Sequence, residues 1–339
     1  MHPTEQDNIA VWDGRSRGWY EVWYYKLNDP AAGTAVWLRS TILVPLLGHG
    51  EPVAELWAIA FDKNDPAWNC AFKRRTPLAG ATLGRDAFSV AIAGATLTQT
   101  ASRGAIGDGA ADGIAWDLSV TPAAATFRHF PSALMYRLPF PRTKVLAPNL
   151  SCTYTGTVTV KGRTLAFDRA IGHQAHIWGT KHAARWAWAN CAAFDDAPEG
   201  GAVLEALTAQ IKVGGRLAPP LTVLCLRCGG EELLFNALRN LATNRSAYDL
   251  TRWDLEGENA AHAVRASITN DPRDMVGVGY RDPDGETRVC HNTKVAGVTV
   301  SLYEKARGGR RLLRTLASKA ACAYEVVEPS AAPGVRVLI

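Results

Sequence analysis

The sequence has no long apolar run and no strong excess of one charge. No stretch approaches the roughly 18 uncharged apolar residues of a membrane-spanning helix, and residues 1–10 are polar, so we expect neither a membrane span nor a signal peptide. The net charge is +5, from 37 Lys and Arg dispersed among 32 Asp and Glu. Because there is no basic stripe, we expect no nucleic-acid partner.

Cysteine is sparse, and its spacing does not suggest pairing. The seven cysteines are odd in number and scattered, which favours reduced thiols and a cytoplasmic location over a disulfide framework. Cys225 and Cys228 form a CxxC, but neither a second CxxC nor an HxxxH accompanies it. The segment is typical of a strand, on which positions i and i+3 face opposite ways. We therefore predict core or surface thiols and no metal.

The common catalytic fingerprints are missing as well. The sequence contains no GxSxG, no Walker loop and no GxGxxG after a strand. Their absence argues against the commonest hydrolases and the nucleotide- and dinucleotide-binding enzymes. We expect no cofactor.

Short β-type segments fill the chain instead. Segments rich in Val, Ile, Thr, Trp and Tyr, such as 34–44 and 53–62, alternate with turns of Gly, Pro, Asn and Asp, which is typical of a sandwich or barrel. Residues 233–241 are an exception, because their leucines would share one helical face, and we predict a short helix there. The fold class predicted is all-β.

A weak internal repeat divides the chain. The segment that begins at Trp23-Tyr-Tyr is followed by the same run of strands as the segment that begins at Trp186-Ala-Trp, about 163 positions later. A length of 339 residues also suits about two domains. The repeat predicts two similar domains, which we place at residues 1–168 and 169–339.

The residues best suited to chemistry crowd into one segment. His173, His176 and His182 lie within ten residues, among Trp178, Trp186 and Trp188. Histidine titrates near neutral pH, and indole faces stabilise cations, so the segment could protonate an alkene and stabilise the carbocation formed. Core packing of the two tryptophans on one strand is the alternative interpretation. The spacing lacks the HxH or HExxH regularity of a metal site.

Three short motifs resemble one family. Glu21-Val-Trp-Tyr-Tyr, Gly172-His-Gln-Ala-His-Ile-Trp-Gly and Arg185-Trp-Ala-Trp-Ala-Asn-Cys resemble motifs of the hydroxyneurosporene synthase-like proteins, which include carotenoid hydratases and have tocopherol cyclase as a distant relative. The resemblance implies two lipocalin-like antiparallel β-barrels packed together, with few short helices. It also implies acid-catalysed addition or cyclisation on a long isoprenoid. Ala175 stands where the hydratases are expected to carry the acidic Asp, so His176 or Glu21 would have to supply the proton.

Two hypotheses for the function follow. The first is a cofactor-independent cyclase, isomerase or hydratase that acts on a hydrophobic isoprenoid or polyketide in a Trp-lined pocket, with His176 as proton donor or hydrogen-bonding group. The second is a non-catalytic lipocalin-like protein that binds a small apolar ligand. The predicted catalytic residues are His176, Glu21 and His173. The predicted substrate-binding residues are Trp23, Tyr24, Trp178, His182, Trp186, Trp188 and Asn190.

Overall fold

Two large antiparallel sheets make up almost all of the computed structural model, which describes residues 1–108 and 111–339. The first sheet contains β1 (Trp19–Asp29), β2 (Thr34–Val44), β3 (Val53–Asp62), β4 (Cys70–Pro77), β5 (Thr82–Leu83), β6 (Ser89–Ile92), β7 (Ala95–Thr98), β8 (Ala101–Gly107), β9 (Gly113–Thr121), β10 (Phe127–Arg128), β11 (Thr143–Val160) and β12 (Arg163–Gly179). Its strand order is β4-β3-β2-β1-β12-β11-β9-β8-β7-β6-β5, and β10 pairs with β11.

The second sheet follows in the chain. It contains β13 (Arg185–Cys191), β14 (Ala202–Gln210), β17 (Leu221–Cys228), β18 (Glu231–Phe235), β19 (Arg245–Tyr248), β20 (Arg252–Glu258), β21 (His262–Thr269), β22 (Val276–Arg281), β23 (Thr287–Ala306), β24 (Gly309–Glu328) and β25 (Arg336–Val337). Its main order is β18-β17-β14-β13-β24-β23-β21-β20-β19. A small hairpin joins β15 (Lys212–Val213) and β16 (Arg216–Leu217), and the α-helices are α1 (Leu134–Arg137) and α2 (Leu238–Thr243). No helix among the described residues is long and apolar enough to cross a membrane.

The two sheets share one strand order. In each, three strands lead outward from the first strand (β1 or β13), and the long hairpin β11–β12 or β23–β24 lies on its other side. Both long hairpins also contain register shifts near their middle. The repeat inferred from the tryptophan motifs is therefore present in the topology. The chain passes from one sheet to the other between Gly179 and Arg185, and the division into two domains stays a prediction.

Each sheet curls around its own apolar core, and a third core lies between the sheets. Trp23, Tyr25 and Leu27 of β1 belong to the first core, whereas Tyr20 and Tyr24 belong to the core between the sheets. Strand alternation explains this division, because successive side chains point to opposite faces. On β13, Ala187, Ala189 and Cys191 likewise face the second core, and Trp188 faces the first sheet. The expected all-β, lipocalin-like architecture is confirmed.

The predicted helix at 233–241 is wrong in its first half. Leu233 and Phe235 lie on β18, pair with Leu226 and Leu224 of β17, and are buried in the second core. Sheet pairing and burial here override the helical spacing of the leucines. The helix begins only at Leu238. The seven cysteines are free thiols, and Cys225 is buried while Cys228 is partly exposed on the same strand.

Candidate active site

Strand alternation separates the histidines that lie close in the sequence. On β12, His173 and Ala175 pair with Lys26 and Tyr24 of β1 and share the face directed at the second sheet. His176 pairs with Trp23 and lies on the opposite face, inside the first sheet. The predicted catalytic and substrate-binding residues therefore occupy three separate places.

The first place is a buried pair of His176 and Glu21 inside the first sheet. His176 Nδ1 lies 2.7 Å from the carbonyl oxygen of Asp7, and Nε2 lies 2.8 Å from Glu21 Oε1. Protein oxygen atoms therefore engage both ring nitrogens. It stacks on Trp23 and also contacts Trp178. Neither nitrogen is left free to meet a substrate.

Glu21 also holds the N-terminal segment. Its Oε1 accepts from the backbone N–H of Val11 at 2.6 Å, and its Oε2 accepts from the N–H of Trp12 at 2.8 Å. The indole of Trp19 donates to Oε2 at 3.3 Å. A carboxylate with this many donors is a strong anchor in a dry environment. Glu21 and His176 thus fasten residues 7–12 onto β1 and β12.

The second place is a polar cluster around Glu205, between the sheets. Glu205 accepts from His129 Nε2 at 2.9 Å, from the indole of Trp188 at 2.7 Å and from Asn190 Nδ2 at 3.0 Å. His173 Nε2 lies 3.6 Å from Glu205, and neither ring nitrogen of His173 has a hydrogen-bond partner among the described residues. Tyr24 packs against both His173 and Trp188.

Burial controls the charges of this cluster. Desolvation lowers the pKa of the His173 imidazole to about 3, and the nearby Glu205 carboxylate only partly opposes the shift. His173 is therefore neutral at pH 7. Burial alone would raise the pKa of Glu205, but His173 and the hydrogen bond from His129 outweigh it and lower the pKa. The cluster holds an ionised carboxylate beside a neutral imidazole.

The third place contains His182, which forms a dyad with Asp282. His182 Nδ1 lies 2.5 Å from Asp282 Oδ1, and its backbone N–H donates to the same oxygen at 3.1 Å. Arg288 Nη1 donates to Asp282 Oδ2 at 2.5 Å. The imidazole ring lies between Tyr20, at a centroid distance of 3.9 Å, and Trp186, at 5.5 Å. Its Nε2 has no hydrogen-bond partner among the described residues.

The charges of the dyad are set by its neighbours. Burial lowers the pKa of His182, and Arg39 and Arg288 lower it further against the opposing effect of Asp282. Burial would raise the pKa of Asp282, but the hydrogen bond and charge of His182, with the charge of Arg288, hold it at about 2. An ionised Asp that accepts from Nδ1–H fixes the tautomer and leaves Nε2 as the basic nitrogen.

His182 lines a cavity of about 220 Å³ between the two sheets. Aromatic walls come from Tyr20 and Trp57 of the first sheet and Tyr280 of the second. The other lining residues are mostly polar or charged: Arg39, Thr41, Leu43, Glu55, Lys73, Arg75, Gly279, Arg281 and Thr287. The volume is small for a ligand pocket, so it suits a ring or one end of a longer molecule. The dyad and the aromatic walls together make it the candidate active site.

One acidic group near the dyad has metal-ligand spacing. Oxygen atoms of Asp282, Asp284 and Glu286 lie within 4.8 Å of one another. Each carboxylate already has a cationic partner: Arg288 for Asp282, and Lys181 for Asp284 and Glu286. Protein cations neutralise these ligands, so the donor set does not fit a metal ion.

Comparison with known proteins identifies the family. Residues 17–327 match the Tocopherol cyclase-like family. The chain belongs to this family. Two uncharacterized proteins of Mycobacterium tuberculosis, MT0513 of strain CDC 1551 and Rv0493c of strain H37Rv, are each 31% identical to it over 311 residues, which cover 91% of this chain and 86% of theirs. The relationship expected from the three motifs is confirmed.

One solved structure shows the same fold, and a second one is more distant. AttH of Nitrosomonas europaea superposes with a TM-score of 0.55 at 15% identity, covering 96% of each chain. Kievitone hydratase of Nectria haematococca gives a TM-score of 0.48 at 12% identity, covering 91% of this chain and 88% of its own. At these identities, the AttH likeness establishes the fold alone.

In this tocopherol cyclase-like protein, sequence reasoning missed most of the cavity residues. Asp282 stands in the turn Asp282-Pro-Asp-Gly, where acidic residues are ordinary. Arg39 carried a usable signal: it is the one charge in β2, a strand that is buried on both faces along its whole length. Tyr280 and Trp57 carried no signal beyond their size, because only the packing of one sheet on the other brings them together.

Proposed function

We propose that this protein is a cofactor-independent cyclase, isomerase or hydratase that acts on a hydrophobic isoprenoid or polyketide held between the two sheets. Membership in the tocopherol cyclase-like family supports a cyclase- or hydratase-type enzyme in general. The observation that carries the proposal is the His182–Asp282 dyad in the wall of the aromatic cavity.

The dyad can move a proton without any redox partner. Neutral His182 accepts a proton from the substrate at Nε2, and Asp282, 2.5 Å from Nδ1, stabilises the imidazolium that forms. The Nε2–H of the imidazolium exchanges with solvent, and the ring then delivers a proton to another substrate atom, so bonds shift while no net oxidation occurs. Tyr20, Trp57 and Tyr280 hold the carbon skeleton, which fixes the reacting geometry.

In this proposal His176 is the hydrogen-bonding group and His182 the acid–base group. Both nitrogens of His176 are engaged by Asp7 and Glu21 inside the first sheet, and His176 does not line the cavity. Ala175, whose position the resemblance gives to an acidic Asp, packs beside Tyr24 between the sheets. Proton transfer from His182 would not need a carboxyl group at 175.

A binding protein is the second candidate. Ala175 and the buried aromatic side chains favour it, because a carrier needs apolar walls and no acid. The two candidates differ in whether the bound molecule exchanges protons with solvent.

Solvent deuterium tests the proposal. The purified protein is extracted with organic solvent to identify any copurifying molecule, which is then incubated with the protein in D₂O beside a panel of isoprenoids and polyketides. We expect mass spectrometry to detect a rearranged or hydrated product that carries deuterium. His182→Gln should abolish conversion while tryptophan quenching still reports binding. His262→Gln, which changes a partly buried histidine outside the cavity, is the matched control.

Two results would count against the enzyme. Binding without conversion or deuterium uptake by the unmodified protein would favour the carrier. Conversion that survives in His182→Gln would place the proton transfer on another residue.

A further inference from the structure

Two arginines of the cavity have no carboxylate partner among the described residues: Arg281, which is exposed and donates to the carbonyl oxygen of His49, and Arg39, which is buried. Glu55 is shared by Lys73 at 3.2 Å and Arg75 at 2.7 Å. Arg39, which lines the same cavity, has no carboxylate within 4.0 Å among the described residues. The cavity wall therefore has an excess of positive charge at Arg39.

Arg39 is held in place, yet most of its donors are unused. The side chain is 6% exposed. Its Nε donates to Thr41 Oγ1 at 2.8 Å, the single hydrogen bond that its guanidinium makes to the described residues. The guanidinium carbon lies 4.3 Å from the ring centroid of Tyr280 and 5.2 Å from that of Trp57. Ring faces stabilise the cation but leave its terminal N–H groups without acceptors.

A buried, unpaired charge is costly to a fold unless something else balances it. Because Nε is used by Thr41, the free edge of the guanidinium is the one formed by Nη1 and Nη2, and it matches the two oxygens of a carboxylate in a planar, bidentate geometry. Arg39 is the buried unpaired cation, and one guanidinium balances one negative charge. A diphosphate carries several charges, but Lys73 and Arg75 already share Glu55, and Arg281 is exposed. The aromatic walls beside Arg39 suit an apolar skeleton attached to that charge.

We propose that the cavity recognises an apolar ligand through a carboxylate bound to Arg39. This inference rests on the proposed function in that it uses the same cavity, but it concerns binding and does not depend on turnover. It also connects the anion to the dyad, because Arg39 is one of the charges that lower the pKa of His182. A carboxylate on Arg39 would offset that effect and make His182 easier to protonate.

Matched probes test the carboxylate. Geranic acid and geraniol share one isoprenoid skeleton and differ in the charged end, and both can be titrated by tryptophan fluorescence, since Trp57 lines the cavity. We expect geranic acid to bind at least about tenfold more tightly than geraniol. Arg39→Met should weaken geranic acid by about 10- to 100-fold and leave geraniol within about threefold. Arg103→Met, which removes an exposed arginine paired with Asp117, should change neither.

Further variants and probes keep the test decisive. Arg39→Lys retains the charge without the planar fork, so its affinity for geranic acid should lie between those of the unmodified protein and of Arg39→Met. This variant replaces Arg39→Met in the test if that protein fails to fold. Equal affinities for acid and alcohol, an equal loss of both in Arg39→Met, or no geranic acid binding at millimolar concentration would each overturn the inference. Tighter binding of geranyl diphosphate than of geranic acid would overturn the carboxylate assignment. The deuterium test of His182 is read separately and can fail while carboxylate binding stands.

Discussion

The substitution Glu21→Gln replaces one carboxylate oxygen with an NH₂ group. It also removes the negative charge that holds residues 7–12 against the first sheet. The carboxylate is fully buried and accepts from Val11 and His176 at Oε1 and from Trp12 and Trp19 at Oε2. Whichever oxygen is replaced, two donors then face an NH₂ group.

The expected loss of unfolding free energy follows from those two donors. If the amide nitrogen takes the place of Oε1, the backbone N–H of Val11 loses its acceptor. If it faces Trp12, that backbone N–H and the indole of Trp19 both lose their acceptor. Hydrogen bonds to a charged group contribute about 1.5–3 kcal/mol each, and a stranded buried donor costs about 1–3 kcal/mol. We therefore expect the free energy of unfolding to fall by about 2–4 kcal/mol.

Urea denaturation followed by tryptophan fluorescence measures this loss, and hydrogen exchange at Val11 and Trp12 locates it. Glu304→Gln is the matched control, since Glu304 forms an exposed pair with Arg311 and should change stability by less than about 1 kcal/mol. An unfolding free energy for Glu21→Gln equal to that of the control would refute the anchoring role. Geranic acid should bind Glu21→Gln normally, because Glu21 does not line the cavity.

Three further predictions concern stability. The free energy of unfolding should decrease as pH falls from 6.5, because the pKa of His173 is about 3 in the fold and the unfolded chain takes up the proton first. Urea titrations at pH 6 and 5 measure the slope of unfolding free energy against pH, which His173→Leu should reduce by about 1 kcal/mol per pH unit. An unchanged slope in that variant would contradict this. Asp282→Asn should cost about 2–4 kcal/mol, because His182 and the buried Arg288 lose a charged acceptor and Arg288 keeps only the more exposed Glu286, at 3.1 Å; a melting temperature equal to that of the unmodified protein would disprove it. Gly172→Ala should lower stability by about 1–3 kcal/mol, since its Cβ would lie 2.3 Å from the carbonyl oxygen of Lys26; Gly308→Ala, with open space around it, should be neutral, and equal effects of the two would refute the argument.

Local pattern was sufficient to predict the strands and the repeat. The bounds of β2 and β3 follow from their Val, Ile, Leu and Trp content and the turns beside them, and the two tryptophan motifs mark topologically equivalent strands. The segment at 233–235 was misassigned because pairing with β17 is a non-local contact that leucine spacing does not report.

Closeness in sequence was a poor guide to the site. His173 and His176 are three positions apart, and the period of two along a strand places them on opposite faces of β12. That period was available from the sequence and would have separated them. Asp282 and Arg39 reach His182 only through packing between the sheets, which no local pattern encodes.

The cavity has walls from both sheets, with Arg39 and Trp57 on one side and Tyr280 on the other. A molecule lodged there touches both halves of the chain at once. Binding therefore stabilises the contact between the two halves, and this stabilisation grows with the logarithm of the ligand concentration. While a ligand is bound, one half cannot separate from the other without releasing it. Ligand occupancy would therefore couple the unfolding of the two halves.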